Sequence, residues 1–530
     1  MEKLLYVDML YINSFVLILV LTVLGMFVKV DIHSKTNNDR YDMLFCAVCA
    51  IAIGTLCGIC PLKEKDLGYD SPVWLYIGQR MQEGYVPYRD IFDHKGIVLF
   101  FIQFFGLLLT PNSLLGVWFL ELINMFFTAF FCLKTAKLVI DNKIINWLTV
   151  AWVLLVCAQK VFDRGNFTEE YALPWISLAI FVFLQYICTD KYKFTQIIAL
   201  GVGFAYVAFL RLNMVSVWVF YLPIIFFQMI RKKEWKNLGN CIVAFACGML
   251  IVLVPILAYT IATDSFDDMV KNYFVFNLSY ADSEGTLESI LSNMMFLSSR
   301  FIPALVAIAA VAYKNQNNRV FLVNLACFFV ALFFASISGR QYSHYAMVLL
   351  PLLVVPIGTA INDFYRVACS DCFSDKRVIA LKKHILVVLC ASLVPCFIGM
   401  KPTEVILDND TAAMEEKMIV SYLTNNTKES DDVLILGSGA RFYILADRKT
   451  ENKYCYQTPP INISDEIYLE FMNEVIEHPS DTVVLARNRE QVLKEANNFS
   501  KVVEWFDKQS DHNIYQRIEL ENYCIYEKVE

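Results

Sequence analysis

Charged residues are scarce in this chain. Only 18% of its 530 residues are charged, 57% are hydrophobic, and the mean hydropathy is +0.48, whereas a soluble domain is typically about 25% charged. This composition predicts a protein that crosses a membrane several times. The net charge of −7 argues against a nucleic-acid partner, because such a partner requires a basic face.

Several other features are also missing. No small-residue cleavage site follows the first apolar run, so we expect no cleavable signal peptide. No internal repeat is evident, and many transporters are built from repeated halves. Gly437-Ser-Gly439 follows a predicted strand, but it lacks the third glycine of a dinucleotide fingerprint and the lysine of a P-loop. The last two absences disfavour a transporter built from repeated halves and phosphate binding at the glycine turn.

Apolar runs long enough to cross a bilayer core of about 30 Å predict about twelve transmembrane helices. The run 96–110 is not counted, because its length suits an interfacial or re-entrant helix. With that run not crossing, the basic segments share one side, which the positive-inside rule assigns to the cytoplasm. The spans are expected near 10–29, 42–61, 114–133, 145–161, 174–188, 196–213, 214–230, 238–262, 295–313, 319–337, 345–361 and 384–400.

The membrane-like character ends near residue 400. We therefore expect a transmembrane domain over 1–400 and a small extracytoplasmic α/β domain over 401–530. Cys455 and Cys524 both lie in the second domain, and the sequence leaves their pairing open. Strands are predicted around 431–440, 482–486, 515–520 and 523–528, and helices over 414–423, 465–476 and 489–496.

The stretch 66–96 interrupts the apolar runs with many charges. Charges beside hydrocarbon are costly unless they line a water-filled or protein-lined cavity, so their crowding predicts a functional site. Asp70 is the candidate for accepting a proton from an attacking hydroxyl. Arg89, His94 and Lys95 are candidates for stabilising a departing phosphate. Arg211, inside the apolar run 209–215, is expected near an outer helix end and could reach the same cavity.

The same residues also have structural interpretations. Asp70 could be the N-cap of the next helix, because aspartate is favoured at that position. Arg89, Asp90 and Asp93 could form a salt-bridge cluster that holds the loop together. Lys95 could extend its ammonium to the membrane interface without binding a ligand.

Three segments resemble the GT-C glycosyltransferases of family 39, especially the branch of protein O-mannosyltransferases, aminoarabinose transferases and Rgt-type lipopolysaccharide sugar transferases. The likeness covers roughly residues 40–400 and implies an α-helical polytopic membrane fold with additional juxtamembrane helices. The segments are 70–96 (Asp-Ser, then Gly-Tyr-Val-Pro-Tyr-Arg-Asp, then Asp-His-Lys-Gly), 166–174 (Asn-Phe-Thr-Glu-Glu-Tyr-Ala-Leu-Pro) and 340–345 (Arg-x-x-x-His-Tyr).

The resemblance implies a role for each matching residue. Asp70 matches the catalytic base. The chain departs from the family pattern at two positions: Ser71 stands where a second acid is common, and Gly96 stands where proline is usual. The sequence indicates no cofactor, and it leaves open whether a divalent metal binds. The residues implied in donor binding are Arg89, Asp93, His94, Lys95, Arg340, His344 and Tyr345, and those implied in binding the acceptor or the sugar are Asn166, Glu169 and Glu170.

These observations predict an inverting membrane glycosyltransferase that moves a sugar from a polyprenyl-phosphate donor to an extracytoplasmic glycan, glycolipid or protein. Its catalytic loops and α/β domain are expected outside the cytoplasmic membrane. One alternative is a transporter or flippase for a lipid-linked glycan, which would carry ionisable residues near the bilayer midplane. A polysaccharide polymerase or ligase is the other, although the charges here are spread over several outer loops.

Overall fold

The computed structural model describes residues 39–62, 67–111, 113–158, 161–282, 286–312, 314–369 and 410–529. These residues form a large helical part and one small C-terminal sheet, which confirms the predicted fold class. Some of the sequence features lie outside the described residues. These are the spans expected near 10–29 and 384–400, Asp66 at the start of the charged stretch 66–96, and the expected domain boundary at residue 400.

Six helices in the described part of the chain are long and apolar enough to cross a membrane. At 18 or more residues each, they measure at least about 27 Å along their axes. Two of them begin as 3₁₀ turns, over Leu212–Val215 and Ser343–Leu353. The six are Leu115–Val139, Thr168–Thr189, Leu212–Arg231, Trp235–Ala262, Arg319–Ser336 and Ser343–Asp363.

The remaining helices before residue 370 are shorter. Ile97–Leu109 has 13 residues and measures about 20 Å, less than the thickness of the hydrocarbon core. The others are Asp39–Gly54, Ser71–Gln82, Lys143–Ala151, Phe194–Ala208, Phe266–Met269, Phe276–Asp282, Leu287–Ser299 and Ile302–Ala312, and the helix Val354–Cys369 continues the last 3₁₀ turn.

Four expected spans differ from the helices observed. The helix in 196–213 ends at Ala208 and has 15 residues. The helix in 42–61 ends at Gly54. The helix in 145–161 widens into a π-turn over Trp152–Cys157. The run 295–313 is divided at residues 300–301, where a turn separates two shorter helices. Hydropathy counts apolar residues and does not detect such interruptions.

Buried polar side chains connect the long helices. Asn324 donates from Nδ2 to the carbonyl oxygen of Leu352 (2.7 Å), and the Trp218 indole donates to the carbonyl oxygen of Leu200 (3.1 Å). Such bonds hold helices together where lipid provides no hydrophobic driving force between them. They join Arg319–Ser336 to Ser343–Asp363 and Phe194–Ala208 to Leu212–Arg231.

The C-terminal part confirms the predicted α/β character. Its four strands, β1 Val433–Leu436, β2 Thr482–Leu485, β3 Tyr515–Glu519 and β4 Cys524–Lys528, are ordered β1-β2-β4-β3. β1 and β2 are parallel, with Val433 opposite Thr482, and the other pairs are antiparallel. The helices of this part are Asp410–Asn426, Arg441–Ala446, Pro460–Ile463, Asp465–Glu477, Arg489–Lys494 and Asn498–Asp511.

One of these helices, Asn498–Asp511, is absent from the sequence prediction. Asn497 and Ser500 form a capping box at its start, and the helix buries Phe499 and Phe506 against the sheet side of the domain. Cys455 and Cys524, whose pairing the sequence leaves open, are buried free thiols in the structure.

The α/β domain packs directly on the polar loop that follows the helix Asp39–Gly54. The rings of Tyr76 and Tyr443 stack with centroids 4.5 Å apart. The hydroxyl of Tyr76 accepts from the backbone N–H of Thr450 (3.0 Å), and the N–H of Phe92 donates to the carbonyl of Lys453 (2.9 Å). These contacts hold the domain over the ends of the membrane helices.

Candidate active site

A cavity of about 830 Å³ lies where the membrane part meets the α/β domain. Its volume is within the range of about 300–1,000 Å³ that is usual for ligand pockets. The membrane part contributes residues from 67–74, 93–95, 163–169, 211 and 341–345, and the α/β domain contributes residues from 438, 456–459 and 486–487. Segments far apart in sequence therefore share one polar chamber.

The structure brings most of the predicted site residues into this cavity. Those that line it are Asp70, Asp93, His94, Lys95, Glu169, His344 and Tyr345. Arg89 is outside it, at the surface, where its side chain bonds to Asp90 (2.8 Å) and to the carbonyl of Thr263 (2.7 Å). That geometry matches the loop-stabilising interpretation of Arg89. Asn166, Glu170 and Arg340 are also not among the residues that line the cavity.

Asp70 stands immediately before the helix Ser71–Gln82. Although this is the N-cap position, the Asp70 side chain makes no capping hydrogen bond to the described helix. Pro72 occupies the first turn, where a missing N–H is tolerated. The carboxylate of Asp70 is exposed to the cavity. The start of the helix therefore positions this acid while its oxygens make no capping hydrogen bond.

Asp93, His94 and Lys95 form one hydrogen-bonded unit. The Lys95 ammonium lies 2.8 Å from His94 Nε2, and Asp93 Oδ1 accepts from the backbone N–H of Lys95 (2.7 Å). Because an ammonium only donates, Nε2 is assigned as the unprotonated nitrogen. Nδ1 then carries the proton and donates to the hydroxyl oxygen of Tyr456, 3.0 Å away.

Burial and positive charge shift the pKa values of this unit. Burial raises the pKa of Asp93 to about 6, against the lowering effect of Lys95. Burial first, and then the charges of Lys95, Arg211 and Arg340, lower the pKa of His94 well below its usual range. Burial and Arg211 also lower the pKa of Lys95. His94 is therefore neutral at pH 7, and an anion in the cavity would relieve the crowding of the cations.

Buried Glu169 and half-buried Arg211 form an ion pair on the same wall. The carboxylate of Glu169 accepts from Arg211 and from the Thr168 hydroxyl (2.8 Å). The guanidinium of Arg211 lies 4.0 Å from the centre of the Tyr345 ring. His344 stacks on Phe167 with ring centroids 4.3 Å apart, so the late loop packs against the segment that carries Glu169.

Gly96 explains how Lys95 and Arg211 come to the same wall. Its N–H donates to the carbonyl of Leu210 (3.1 Å), and a Cβ at this position would lie 1.8 Å from the carbonyl oxygen of Phe209. Only glycine permits this approach. The residue that replaces the family's usual proline therefore brings the segments before and after it against residues 209–211.

Glu170 and Asn166 belong to a separate buried network. Glu170 accepts from the backbone N–H of Asn166 (2.7 Å), whose side chain donates to Ser71 Oγ (2.7 Å). Among the described residues, the group that could hold a metal ion is Cys57, Glu121 and Glu170, with ligand atoms within 4.8 Å of one another. Two carboxyl groups this close in an apolar interior favour a shared proton, and the group does not line the cavity.

Sequence reasoning missed the contribution of the α/β domain. Ser438, Tyr456, Thr458 and Arg487 line the cavity from the opposite side. The glycine turn after β1 was a usable signal for Ser438, because ligands of α/β sheets bind beyond the carboxyl ends of parallel strands. For Tyr456 and Thr458, which lie in an irregular segment, the sequence carries no comparable pattern.

The fold and the cavity define a polytopic helical membrane protein with an α/β domain beside a polar cavity. A family model described as "Putative competence-induced protein Ccs4 N-terminal domain" matches residues 70–392, and the chain belongs to this family. Among curated proteins, no relative gives a significant match.

Comparison with solved structures identifies the same fold. The crystal structure of ArnT from Cupriavidus metallidurans bound to undecaprenyl phosphate has a TM-score of 0.59 at 10% identity, over 93% of this chain and 98% of that chain. The apo form of that protein gives a TM-score of 0.57 with the same identity and coverage. The chain shares the fold of ArnT, which confirms the fold implied by the GT-C resemblance.

Proposed function

We propose that this chain is an inverting membrane glycosyltransferase that moves a sugar from a polyprenyl-phosphate donor to a hydroxyl of an extracytoplasmic acceptor. The observation that carries the proposal is one cavity lined by a carboxylate that makes no capping bond, Asp70, and by the half-buried cations Lys95 and Arg211. ArnT, a protein of the same fold, has been solved with undecaprenyl phosphate bound, which supports a lipid phosphate as the ligand.

The reaction is a single displacement at the anomeric carbon. The acceptor oxygen bonds to that carbon while the bond from the carbon to the phosphate oxygen breaks. The acceptor proton passes to the Asp70 carboxylate, and the electrons of the broken bond leave with the phosphate. Lys95 and Arg211 stabilise the charge that develops on the leaving group.

The neighbouring residues position these groups. Neutral His94 accepts a hydrogen bond from the Lys95 ammonium, and Asp93 fixes the Lys95 backbone. Glu169 orients Arg211. Preorganised charges of this kind stabilise a transition state without having to rearrange during the reaction.

Substitution of Asp70 by asparagine tests the proposal. With loss of the base, transfer should fall by about 10²–10⁴-fold while expression and membrane insertion stay normal. Release of polyprenyl phosphate from a labelled donor is measured in detergent, where no sealed compartment exists. Asp267→Asn, at an exposed position outside the cavity, is the control.

Two outcomes would contradict different parts of the proposal. Unchanged transfer by Asp70→Asn would remove Asp70 from the mechanism. A wild-type protein that releases no polyprenyl phosphate in detergent, but moves a lipid-linked glycan across sealed vesicles, would be a transporter.

A further inference from the structure

Three groups of the α/β domain face the cavity and have no part in the mechanism above. Ser438 follows β1, Arg487 follows β2, and Thr458 lies beside them in the segment 455–459. They stand at the carboxyl ends of two parallel strands, which is where α/β sheets bind ligands. This position makes the side of the cavity formed by Ser438, Thr458 and Arg487, called the wall below, a candidate binding surface.

The wall is held in a fixed geometry. Gln457 is fully buried; its Oε1 accepts from the N–H of Gly437 (2.8 Å) and its Nε2 donates to the carbonyl of Tyr454 (2.7 Å). Gly437 has a φ of +96°, a conformation that other residues rarely adopt. This bracing places Ser438 Oγ 3.0 Å from Thr458 Oγ1.

The chemistry of this wall differs from that of the opposite one. The hydroxyls of Ser438 and Thr458 share one hydrogen bond, so together they retain one proton to donate and several lone pairs. Arg487 is paired with Glu495 (3.2 Å from Nη1 to Oε2), which balances its charge. The wall is rich in hydroxyls and nearly neutral, whereas the facing wall carries charges of both signs, including Lys95, Arg211 and Asp70.

Two exposed aromatic rings flank the chamber. Tyr69 and Tyr342, both from the membrane part, line the cavity and are 62% and 45% exposed. The Arg441 guanidinium lies 4.9 Å from the centre of the Tyr69 ring, and His344 stacks on Tyr342 with ring centroids 5.6 Å apart. Flat rings with a polar tip supply rigid contact area at little entropic cost. Their faces suit the C–H faces of sugar rings, and the nearby hydroxyls suit the polar edges.

We propose that this wall is the acceptor subsite and that it takes an uncharged glycan. The inference rests on the proposed function. Because Lys95 and Arg211 hold the donor phosphate on the membrane side of the cavity, the acceptor occupies the hydroxyl-bearing side and presents its attacking hydroxyl across the cavity to Asp70. There Ser438, Thr458 and Arg487 bond to ring hydroxyls, and Tyr69 and Tyr342 stack on ring faces.

The full-length protein with Ser438→Ala and Thr458→Val tests this subsite. Cells that lack the chain provide an envelope extract, which is separated into neutral glycan, anionic glycan and protein fractions. Loss of two hydrogen bonds should raise the half-saturating concentration of the neutral glycan about tenfold. The half-saturating concentration of the lipid donor should not change. The single variant Ser438→Ala should give about a threefold shift and replaces the double variant if that does not fold.

The control is Thr424→Val with Ser430→Ala, which removes two exposed hydroxyls of the same domain outside the cavity and should shift neither concentration. Three outcomes would overturn the subsite while the proposed function stands. In the test variants, the half-saturating concentration of the neutral glycan could stay unchanged, or that of the lipid donor could shift. Alternatively, the wild-type protein could modify only the anionic or the protein fraction. Wild-type protein that neither modifies a fraction nor releases polyprenyl phosphate would overturn both.

Discussion

Glu169 and Glu170 are neighbours at the start of one membrane helix, and their surroundings are opposite. Glu169 lines the cavity and is paired with Arg211. Glu170 lies in the interior beside Glu121 and Cys57. Successive residues of an α-helix point about 100° apart, so one step along the chain exchanges a cationic partner for an acidic one.

The difference shows two ways of burying a carboxyl group. Both side chains are almost fully enclosed, at 2% and 0% exposure, and a buried charge is very costly unless it is paired. Glu169 is compensated by a cation, and we expect Glu170 to share a proton with Glu121. The same isosteric substitution should therefore have unequal effects at the two positions.

The largest effect is expected for Glu169→Gln. The amide cannot balance Arg211, and because Arg211 is 17% exposed the stability loss should lie below the ~3–5 kcal/mol of a fully buried pair. Arg211 should then leave its place over Tyr345, and misplacement of such a group lowers the transfer rate by about 100-fold. The transfer rate and the thermal unfolding midpoint in detergent measure the two losses. Wild-type values for both would show that the ion pair is dispensable.

Gly96→Ala should increase the distance between Lys95 and Arg211 in the cavity. The added methyl would lie 1.8 Å from the Phe209 carbonyl oxygen, so the segment must move, at a cost of about 1–3 kcal/mol. Transfer should fall by about tenfold. Gly239→Ala, in a helix where a Cβ meets nothing within 4 Å, is the matched control and should keep wild-type activity. Equal behaviour of the two variants would contradict the close approach.

Asp93 is another buried carboxyl group, and the pH dependence of its contribution to stability refines the comparison. Its pKa is raised from 3.8 to about 6, so between about pH 4 and pH 6 the folded chain keeps a proton that the unfolded chain releases. The free energy of unfolding should fall as pH rises through this window and level off above it, by at most about 3 kcal/mol. Asp93→Asn should remove that slope.

Thermal unfolding of wild type and Asp93→Asn between pH 4 and pH 8 measures this difference. Asp267→Asn, at the surface, should retain the wild-type slope. An identical slope in Asp93→Asn would show that another group titrates in this range.

The smallest effect is expected for Glu170→Gln. An amide has nearly the shape and charge of a protonated carboxyl group and still accepts from the Asn166 N–H. Transfer should stay within about twofold of wild type, and stability within about 1 kcal/mol. A loss as large as that of Glu169→Gln would mean that Glu170 is ionised or binds a metal with Cys57 and Glu121.

Part of this site could be predicted from sequence. Charges between two apolar runs must find a polar cavity; that argument selects Asp70, His94 and Lys95, which line it, and also Arg89, which does not. Choosing between Glu169 and Glu170 requires the rotation of the helix, which an acidic pair does not reveal. The bond from His94 to Tyr456 joins residues 362 positions apart, and no local pattern predicts such a contact.

The secondary structure also has a part that the sequence predicts and a part that it does not. The four strands of the α/β domain were predictable because each is a short apolar run with turn residues beside it. The helix breaks at Gly54 and at residues 300–301 depend on local hydrogen bonding and tertiary packing, which hydropathy does not report.

The docking of the α/β domain also fixes an order of assembly. During synthesis the loops with Asp70, Lys95 and Glu169 leave the ribosome first, and the wall with Ser438 and Arg487 follows hundreds of residues later. β4, at residues 524–528, lies between β2 and β3 in the sheet, so the domain is complete only after residue 528 has been made. A nascent chain in the membrane therefore has an open cleft until the α/β domain has folded and docked over it.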